Sequence, residues 1–501
     1  MEYTRVRGDQ RLRTRLIPVL ISAWVAACAA SGDPEGASSP PPVIPTWPTA
    51  ASLDALTTSV RELSADAMLG RLTGSASGAL AETYVYDKLA ATGIEMTTQE
   101  VPFPLFEVEG PASLQLVDAD GAALQDFAYI DEFREVDFSG SGAVSAGLVF
   151  AGFGLVYGNT DPYAGLDVSG KVVLLLSGVP AGQGLDETVD GRIDKKLDLA
   201  HQHGAAGVIF ALSGFYAEAD LEKPKEVELA ALDEYADIHP ELLHAEMPAA
   251  LVHLGATEKL VGKSVGELET DPSGFDSGRK VRLEIHGTTH AQATCNNVFG
   301  ILRGEDPTLA DQVILVGAHY DHLGVGADGR IFHGAGDNGS GTAVVLEAAR
   351  AIMASGVKPK RTVVFALWCA EEQGLRGSLW YGHYGTPLFP LRKTALMIQV
   401  DYLAEEDGPY ITNLDDKAVI QTFLGDEQRA VEMPIRGIDW GGECASDDCV
   451  FLWKGVPAYR FIAYGAYHHM TEDTFEHLNM SMVRRVGDVV IRGIGNVAYF
   501  H

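Results

Sequence analysis

The sequence predicts an α/β protein: a mixed, mostly parallel sheet sandwiched by helices, together with a β-rich segment that precedes this sheet in the chain. Two patterns predict this fold class. In the C-terminal half, near-continuous apolar strands alternate with helical segments, such as the one at 341–355, which indicates a sheet buried on both faces. From about Val108 onward, short apolar runs bounded by turn residues indicate a further set of buried strands. A hydrophobic content of 46% and a charged content of 21% are those of a folded globular protein.

The N-terminus has the pattern of an export signal. A basic region at residues 5–15 precedes an apolar stretch at 16–27, which is too short to span a bilayer as a stable helix. The stretch runs into Val-Ala-Ala-Cys28, which resembles a bacterial lipobox, in which the cysteine is lipidated. An ordinary secretory signal cut near the same alanines is the alternative. Residues 1–28 are therefore predicted to direct export, to a lipid-anchored position in the bacterial cell envelope (outer membrane or periplasm) or to the medium.

A linker and two helices follow the signal. Residues 29–51 are rich in proline and serine and cannot build a core, so they predict an extended tether. From Ser52 onward, apolar residues recur at helical spacing, and a second helical pattern covers residues 79–92 before Gly93 ends it. These two helices are expected to begin the folded part of the chain.

The β-rich segment has features of a small α/β unit. Apolar runs at 147–154 and 170–177 predict buried strands, and a helix at 197–203 leads into a strand at 207–211. The stretches Asp-Pro-Tyr-Ala-Gly-Leu-Asp-Val-Ser-Gly-Lys-Val-Val and His-Gly-Ala-Ala-Gly-Val-Ile-Phe resemble the protease-associated domain. The alternative is another layer of one large α/β domain.

Five segments of the C-terminal half contain groups that bind metals, and each follows a predicted strand or lies in the loop after it. Ligands of such sheets collect at strand ends. Imidazole and carboxylate groups suit divalent zinc, and five ligands exceed one structural tetrahedron, which indicates two metals that share a carboxylate. The segments contain His319 with Asp321, Asp337, Glu371 with Glu372, Asp401, and His468-His469 before Asp473-Thr474.

The residue types suggest different roles within these segments. A metal-bound imidazole usually donates its other N–H to a carboxylate, so Asp321 is interpreted as the partner that orients His319. Glu371 and Glu372 suit one metal ligand and one free carboxylate that accepts a proton from water, although a solvated glutamate pair is the alternative. Asp337 is either a bridging carboxylate or a helix cap.

The other histidines near these segments are less specific signals of a metal site. Spacing alone does not choose between His468 and His469 as the last ligand. His322 and His333 are interpreted as bystanders, because isolated histidines near a loop are usually satisfied surface residues.

The excess of acidic residues limits which molecules the protein can bind. With 37 basic and 69 acidic residues, the formal net charge is −32, and such a surface repels the phosphate backbone of nucleic acids. A solubility adaptation explains this charge more simply than a specific cationic partner.

Cys444 and Cys449 are close enough in sequence for a local disulfide, with two free thiols as the alternative.

These motifs together resemble those of family M28 zinc metallopeptidases, which include bacterial aminopeptidases and glutamate carboxypeptidases. The resemblance extends from about Leu69 to the C-terminus. It implies a zinc-peptidase fold related to the phosphorylase/hydrolase type. The matching motifs are Gly317-Ala-His319-Tyr-Asp321, Gly336-Asp337-Asn-Gly-Ser-Gly341, Glu371-Glu372-Gln-Gly-Leu-Arg-Gly-Ser378, Asp401, Ser446-Asp447, His469 with Asp473-Thr474, and the early Gly70-Arg71-Leu-Thr-Gly74-Ser75.

The resemblance implies roles for individual residues. His319 and Asp401 would hold one Zn²⁺, Glu372 and His469 the other, and Asp337 would bridge the two. The family position of the last histidine, four residues before Asp-Thr, selects His469. Glu371 would be the general base and Asp321 the orienting carboxylate, while Tyr467, His468, Ser446 and Asp447 are candidates for substrate contacts.

The resemblance also implies a domain layout and shows departures from the family pattern. A discontinuous catalytic domain would comprise 52–107 and 288–501, with the protease-associated domain inserted at 108–287. Ala370 stands where the family commonly has glycine, and Asp448 where it usually has histidine. His468 replaces a tyrosine found in some members, which leaves the oxyanion donor open.

The function implied is that of an exported di-zinc aminopeptidase acting on peptides, with membrane contact only through the lipid anchor and with the oligomeric state left open. A carboxypeptidase or dipeptidase of the same family is the alternative, for which Arg376, Arg436 and Arg460 are candidate carboxylate-binding residues. The second alternative is a non-catalytic binding protein on a peptidase scaffold.

Overall fold

The structure is a computed structural model that describes residues 46–129, 132–136, 139–185, 191, 193–213, 247–326, 329–404, 410–412, 422–423, 436–438, 446–463 and 465–500. The predicted signal peptide with Cys28, and the tether up to residue 45, lie outside the described residues. Within those residues, none of the helices has the length and apolar character needed to cross a membrane.

Helices and strands alternate along most of the described chain. The helices are α1 (Leu53–Leu63), α2 (Ala76–Ala90), α3 (Ile193–Gln202), α4 (Leu254–Val261), α5 (Val265–Thr270), α6 (Gly341–Ser355), α7 (Arg376–Leu379), α8 (Asp448–Trp453) and α9 (Met480–Gly495). The strands are β1 (Glu95–Val108), β2 (Ser113–Val117), β3 (Ala123–Asp126), β4 (Phe133–Glu135), β5 (Gly142–Phe150), β6 (Val172–Leu176), β7 (Gly207–Ala211), β8 (Ala249–Val252), β9 (Phe275–Ile285), β10 (Gly287–Leu302), β11 (Val313–His319), β12 (Gly324–Val325), β13 (Ile331–Phe332), β14 (Thr362–Trp368), β15 (Thr394–Leu403), β16 (Tyr410–Thr412), β17 (Arg436–Ile438) and β18 (Ala458–Ala463).

The first sheet has the order β1-β10-β14-β11-β15-β18-β16-β17. Its centre is parallel, since β14, β11, β15 and β18 pair in the same direction, while β1, β10 and β16 add antiparallel pairs. All seven residues of β11 are buried. The predicted mixed, mostly parallel α/β architecture is confirmed.

Alternate residues of the central strands pack into two different cores. Ile314 and Val316 of β11 contact the core that contains residues of α1, α2, α6 and α9. Val313 and Leu315 belong to the core on the other face, together with residues of α7 and α8. Each fully buried apolar side chain of this kind contributes roughly 1.5–3 kcal/mol relative to exposure. This two-sided burial explains why the strands lack a polar face in the sequence.

The second sheet lies within the stretch 108–287. Its order is β3-β2-β9-β5-β6-β7-β8-β4, with β5 to β8 parallel and β9 antiparallel to β2 and β5. Two hydrophobic cores of its own cover its faces. The segment therefore forms a separate set of packed layers, and its assignment as a protease-associated domain stays a prediction.

A long pair of antiparallel strands borders this segment in sequence. β1 pairs with β10 from Glu95–Ile301 to Val108–Gly287. The sequence patterns above assign no element to residues 95–107, and Pro102 and Pro104 are unusual in the interior of a strand. The structure tolerates the two prolines because β1 is the edge strand of the first sheet.

A disulfide joins Cys295 of β10 to Cys369, the residue after β14. The predicted bridge between Cys444 and Cys449, with two free thiols as the alternative, concerns a different pair and stays a prediction. That pairing lies outside the described residues, because Cys444 is not among them. The observed bridge connects cysteines 74 residues apart, which only the adjacency of β10 and β14 in the sheet brings together.

Replacing both Cys295 and Cys369 with alanine is expected to lower the free energy of unfolding by roughly 3–4 kcal/mol, because the unfolded chain then loses a long closed loop. The measurement is urea unfolding of the metal-free protein under oxidising conditions, followed by circular dichroism. An unfolding midpoint equal to that of the unsubstituted protein would contradict the expected stabilisation.

Candidate metal centre

Strand β11 delivers the first candidate ligand. His319 is its last residue and is 1% exposed. Its Nε2 atom lies 3.1 Å from Asp401 Oδ1 and 3.2 Å from Asp337 Oδ1. On the other side of the ring, Nδ1 lies 3.6 Å from Asp321 Oδ1. At this distance Nδ1 faces Asp321 without a hydrogen bond, while Nε2 faces the other carboxylates of the site.

Asp337 occupies the turn that precedes α6. Its Oδ1 atom faces His319, whereas Oδ2 lies 3.0 Å from Nε2 of His469 and 3.3 Å from Nε2 of His468. The backbone N–H groups of Gly336 and Asp337 donate to the carboxylate of Asp473 at 2.7 and 2.9 Å. The peptide bond between Asp337 and Asn338 is cis. The turn presents the two oxygens of one carboxylate to different partners.

The two glutamates after β14 point in different directions. Glu372 Oε2 lies 3.1 Å from His469 Nε2, and the nearest atom of Glu371, Oε2, lies 3.9 Å from His319 Nε2. The backbone N–H groups of both glutamates donate to Asp321 at 3.2 and 3.3 Å. Asp321 thus connects the loop of the glutamates to the histidine at the end of β11.

The turn that leads into the glutamates has a left-handed residue. Ala370 has a φ of 52°, a region in which glycine is strain-free and alanine is not. The loop is held at its base by Asn297, whose side chain accepts from the N–H of Cys369 and donates to the carbonyl of Gly377. These contacts fix where Glu371 and Glu372 leave the sheet.

His322 is part of the cluster, and its interpretation as a bystander was wrong. Its ring is fully buried, and Nδ1 lies 2.6 Å from Glu372 Oε1 and 3.9 Å from Asp337 Oδ2. The loop after β11 turns toward the protein interior and places His322 beside Glu372. The feature of the sequence that could have indicated this role is the position of His322 directly after Asp321, in the same loop.

The remaining candidates lie at different depths. His468 is partly exposed, and its ring packs against Tyr402 at 4.6 Å and against His469 at 3.9 Å between ring centroids. Tyr467 packs against His477 instead. Of the candidates for substrate contacts, His468 is therefore the one that the structure places beside Asp337.

Ser446 and Asp447 are fully buried behind the cluster. The side-chain N–H groups of Gln399 donate to Ser446 Oγ at 3.2 Å and to Asp447 Oδ2 at 2.8 Å. Burial raises the pKa of Asp447 to about 7, although His319 acts in the opposite direction. Both side chains thus accept hydrogen bonds from Gln399 in the protein interior.

The charges of the cluster perturb one another. Burial would lower the pKa of His319, but Glu371 and Asp401 raise it well above its usual value. Burial raises the pKa of Glu371 well above its usual range; the charge of His319 opposes this shift, and Asp401 and Glu372 add to it. Burial alone would also raise the pKa of Glu372, but His469 and His322 hold it below its usual value.

The donor set fits bound metal ions. Around opposite oxygens of Asp337, His319 Nε2 lies beside Asp401 and His469 Nε2 lies beside Glu372. The described side chains close enough to share a metal ion also include the group His319, Glu371 and Asp401. Several buried carboxylates at this spacing repel one another unless cations offset their charge. Neutral imidazole and carboxylate are the ligands that zinc accepts. The arrangement can therefore hold metal ions beside a further carboxylate, that of Glu371.

The chain is similar to known peptidases. Residues 297–494 match the sequence profile of peptidase family M28. Leupeptin-inactivating enzyme 1 of Streptomyces exfoliatus is 28% identical over 50% of this chain and 56% of its own length. A glutamate carboxypeptidase 2 homolog of Caenorhabditis elegans is 39% identical over 41% of this chain and 30% of its own length. The chain thus spans about half or less of the length of these curated relatives.

Solved structures share the fold over most of both chains. An aminopeptidase from Aneurinibacillus sp. strain AM-1 aligns over 90% of this chain and 94% of its own, with a TM-score of 0.65 and 20% identity. A zinc aminopeptidase from Bacillus subtilis, BSAP, aligns over 91% and 97%, with a TM-score of 0.61 and 19% identity. At this identity the likeness concerns the fold.

Proposed function

Because residues 297–494 match the sequence profile of peptidase family M28, we propose that this protein is an exported, lipid-anchored di-zinc aminopeptidase that removes N-terminal residues from peptides. One observation supports the catalytic part above all. The two carboxylate oxygens of Asp337 face two different sets of ligand atoms, and Glu371 lies beside them without being needed in either set. A bridging ligand next to a free carboxylate is what metal-assisted hydrolysis requires.

The donor set supports two zinc ions. His319, Asp401 and Asp337 Oδ1 would hold one Zn²⁺, and His469, Glu372 and Asp337 Oδ2 the other. BSAP, which shares the fold, is a zinc aminopeptidase, and this supports zinc as the metal. When bound, two zinc ions would polarise the substrate carbonyl and lower the pKa of an attacking water.

Glu371 is proposed to move the proton. Its carboxylate accepts a proton from the attacking water and returns it to the nitrogen of the leaving amine. Burial raises the pKa of Glu371 well above its usual range in the metal-free protein, although His319 opposes this shift. Asp321 fixes Glu371 through the backbone N–H at 3.2 Å.

The aminopeptidase assignment is supported by the names of the proteins whose structures share the fold over most of both chains. An N-terminal α-amine is a further metal or carboxylate ligand, which suits a site with several acidic groups and a partly exposed rim at His468. The retention of every predicted ligand in one cluster supports catalysis over the role of a non-catalytic binding protein.

A carboxypeptidase is the second candidate, because the relative from Caenorhabditis elegans bears that name and is 39% identical over its matched part. This activity needs an accessible cation to bind the substrate carboxylate. Arg460 is 2% exposed, and Arg376 donates to the carbonyl of Gln373. The side chain of Arg436 lies outside the described residues. The buried position of Arg460 favours the aminopeptidase.

N-terminal acetylation is expected to abolish cleavage, because it removes the charge and the lone pair of the α-amine. The measurement compares one peptide series in four forms, with free or acetylated N-termini and with free or amidated C-termini, against zinc-loaded protein. The aminopeptidase predicts loss of cleavage on acetylation alone. Cleavage that survives acetylation but is lost on C-terminal amidation would identify the carboxypeptidase instead.

A further inference from the structure

We propose that Arg71 is a positioning residue of the metal centre, which holds the loop that follows His319 and the turn that carries Asp337 in their metal-binding arrangement. The inference rests on the proposed metal-dependent function, because it concerns how the same site is kept in shape. Arg71 lies far from these loops in sequence, in the short helical turn Asp66–Arg71 between α1 and α2.

The Arg71 side chain is fully buried and makes a complete set of hydrogen bonds to backbone carbonyls. A guanidinium group has five N–H donors in a fixed planar geometry. Here all five have an acceptor. The acceptors are the carbonyl oxygens of Tyr320 at 2.9 Å, Leu63 at 2.7 Å, His333 at 2.7 Å, Gly334 at 2.8 Å and Asp337 at 3.4 Å.

These acceptors belong to the segments that form the metal centre. Tyr320 lies between His319 and Asp321, and Gly334 and Asp337 bound the turn before α6. The carbonyl of Arg71 itself accepts from the N–H of His322 at 3.3 Å. One residue therefore ties the loop after β11 to the turn of Asp337. These are the two pieces whose separation sets the distance from His319 Nε2 to Asp337 Oδ1.

The positive charge of Arg71 lies near the buried carboxylates of Asp473, Asp337 and Asp321. Within the described parts of the chain, no carboxylate lies at ion-pair distance from its guanidinium. Burial lowers the pKa of Arg71, while the charges of Asp473, Asp337 and Asp321 oppose this shift. A guanidinium stays charged in proteins. Its positive charge offsets part of the repulsion among these acidic groups.

The backbone is strained to bring this side chain inward. Leu69, Gly70 and Arg71 have φ values of 45°, 66° and 55°, so three successive residues are left-handed. Non-glycine residues persist in that region only where the surrounding structure enforces it, and such strain gathers at functional sites. A Cβ atom at Gly70 would meet the carbonyl oxygens of Gly324 and Phe332, so the turn is packed against the loop after His322.

Two variants and one matched control test the proposal. Arg71→Gly removes the guanidinium but suits the left-handed backbone, and Arg71→Lys keeps the charge with at most three donors. The control is Lys196→Met in α3, in the segment that contains the second sheet. Lys196 is also a fully buried cation that donates to three backbone carbonyls, those of Leu176, Ser177 and Gly178.

The readouts are the Zn²⁺ dissociation constant, from competition with a chromophoric chelator, and the visible spectrum of the Co²⁺-substituted protein. We expect Arg71→Gly to bind Zn²⁺ about 10- to 100-fold more weakly and to alter the Co²⁺ spectrum. Arg71→Lys should show a smaller loss in the same direction. Lys196→Met should lower thermal stability and leave both metal readouts unchanged.

Chemical rescue separates positioning from general stability. Millimolar guanidinium should restore part of the Zn²⁺ affinity of Arg71→Gly, whereas urea at the same concentration should not. If Arg71→Gly does not fold, Arg71→Lys decides. Folded Arg71 variants with wild-type Zn²⁺ affinity and Co²⁺ spectrum would overturn the proposal while leaving the function intact. Failure of the wild-type protein to bind Zn²⁺ would instead overturn the proposed function.

Discussion

Glu371→Gln is expected to lower kcat by on the order of 10³-fold or more, because the amide cannot accept the proton of the attacking water. Zinc content should stay unchanged, since Glu371 is not needed in either ligand set and its nearest histidine nitrogen lies at 3.9 Å. The substitution keeps the size of the side chain and its backbone hydrogen bond to Asp321. KM should change far less than kcat, since the lost interaction belongs to the transition state.

The measurement is kcat and KM on a free-N-terminal peptide, together with metal analysis of the same preparation. Glu472→Gln is the matched control, because this exposed glutamate lies in the loop that carries His469 and undergoes the same chemical change. It should retain normal kcat. Near-normal turnover of Glu371→Gln with two zinc ions bound would refute the assignment of the base.

Asp337→Ala is expected to remove detectable activity and to weaken the binding of both metal ions, by at least about 100-fold. The reason is geometric. Oδ1 of Asp337 faces His319, Oδ2 faces His469, and one substitution therefore removes a ligand from both groups. Substituting a ligand of only one group should have a narrower effect. Asp401→Ala is expected to leave one ion bound, at the group of His469 and Glu372.

Zinc stoichiometry after dialysis, measured by elemental analysis, distinguishes these outcomes. The expected numbers of ions are about two for the wild-type protein, one for Asp401→Ala and none for Asp337→Ala. Asp311→Ala is the control, because this exposed aspartate lies just before β11, at the opposite end of the strand from His319. Equal zinc loss in Asp337→Ala and Asp401→Ala would contradict a bridging role for Asp337.

Local sequence pattern predicted the elements that position the site. The apolar runs that became β11 and β14 are buried on both faces, and such burial leaves a direct trace in composition. Helix α6 begins and ends at the predicted residues, Gly341 and Ser355, because a glycine-rich turn precedes it and Gly356 in a left-handed conformation ends it. β1 left no such trace, since an edge strand tolerates proline and polar residues.

Some members of the site could not be predicted from the sequence. His322 lies in a loop, and the direction in which a loop turns depends on what packs against it. Arg71 acts through backbone carbonyls, which every residue has, so no pattern of side chains points to its partners. The disulfide between Cys295 and Cys369 depends on the order of β10 and β14 in the sheet.

The sequence by itself determined the fold class and the chemical types of the metal-binding groups, because burial and ligand chemistry restrict which residues can occupy those positions. The tertiary structure decided which oxygen of Asp337 faces which histidine, that His322 lies beneath Glu372, and that Arg71 joins the two loops. These are distances between residues remote in the chain. They are set by the packing of strands and loops against one another, which no local pattern of residues records.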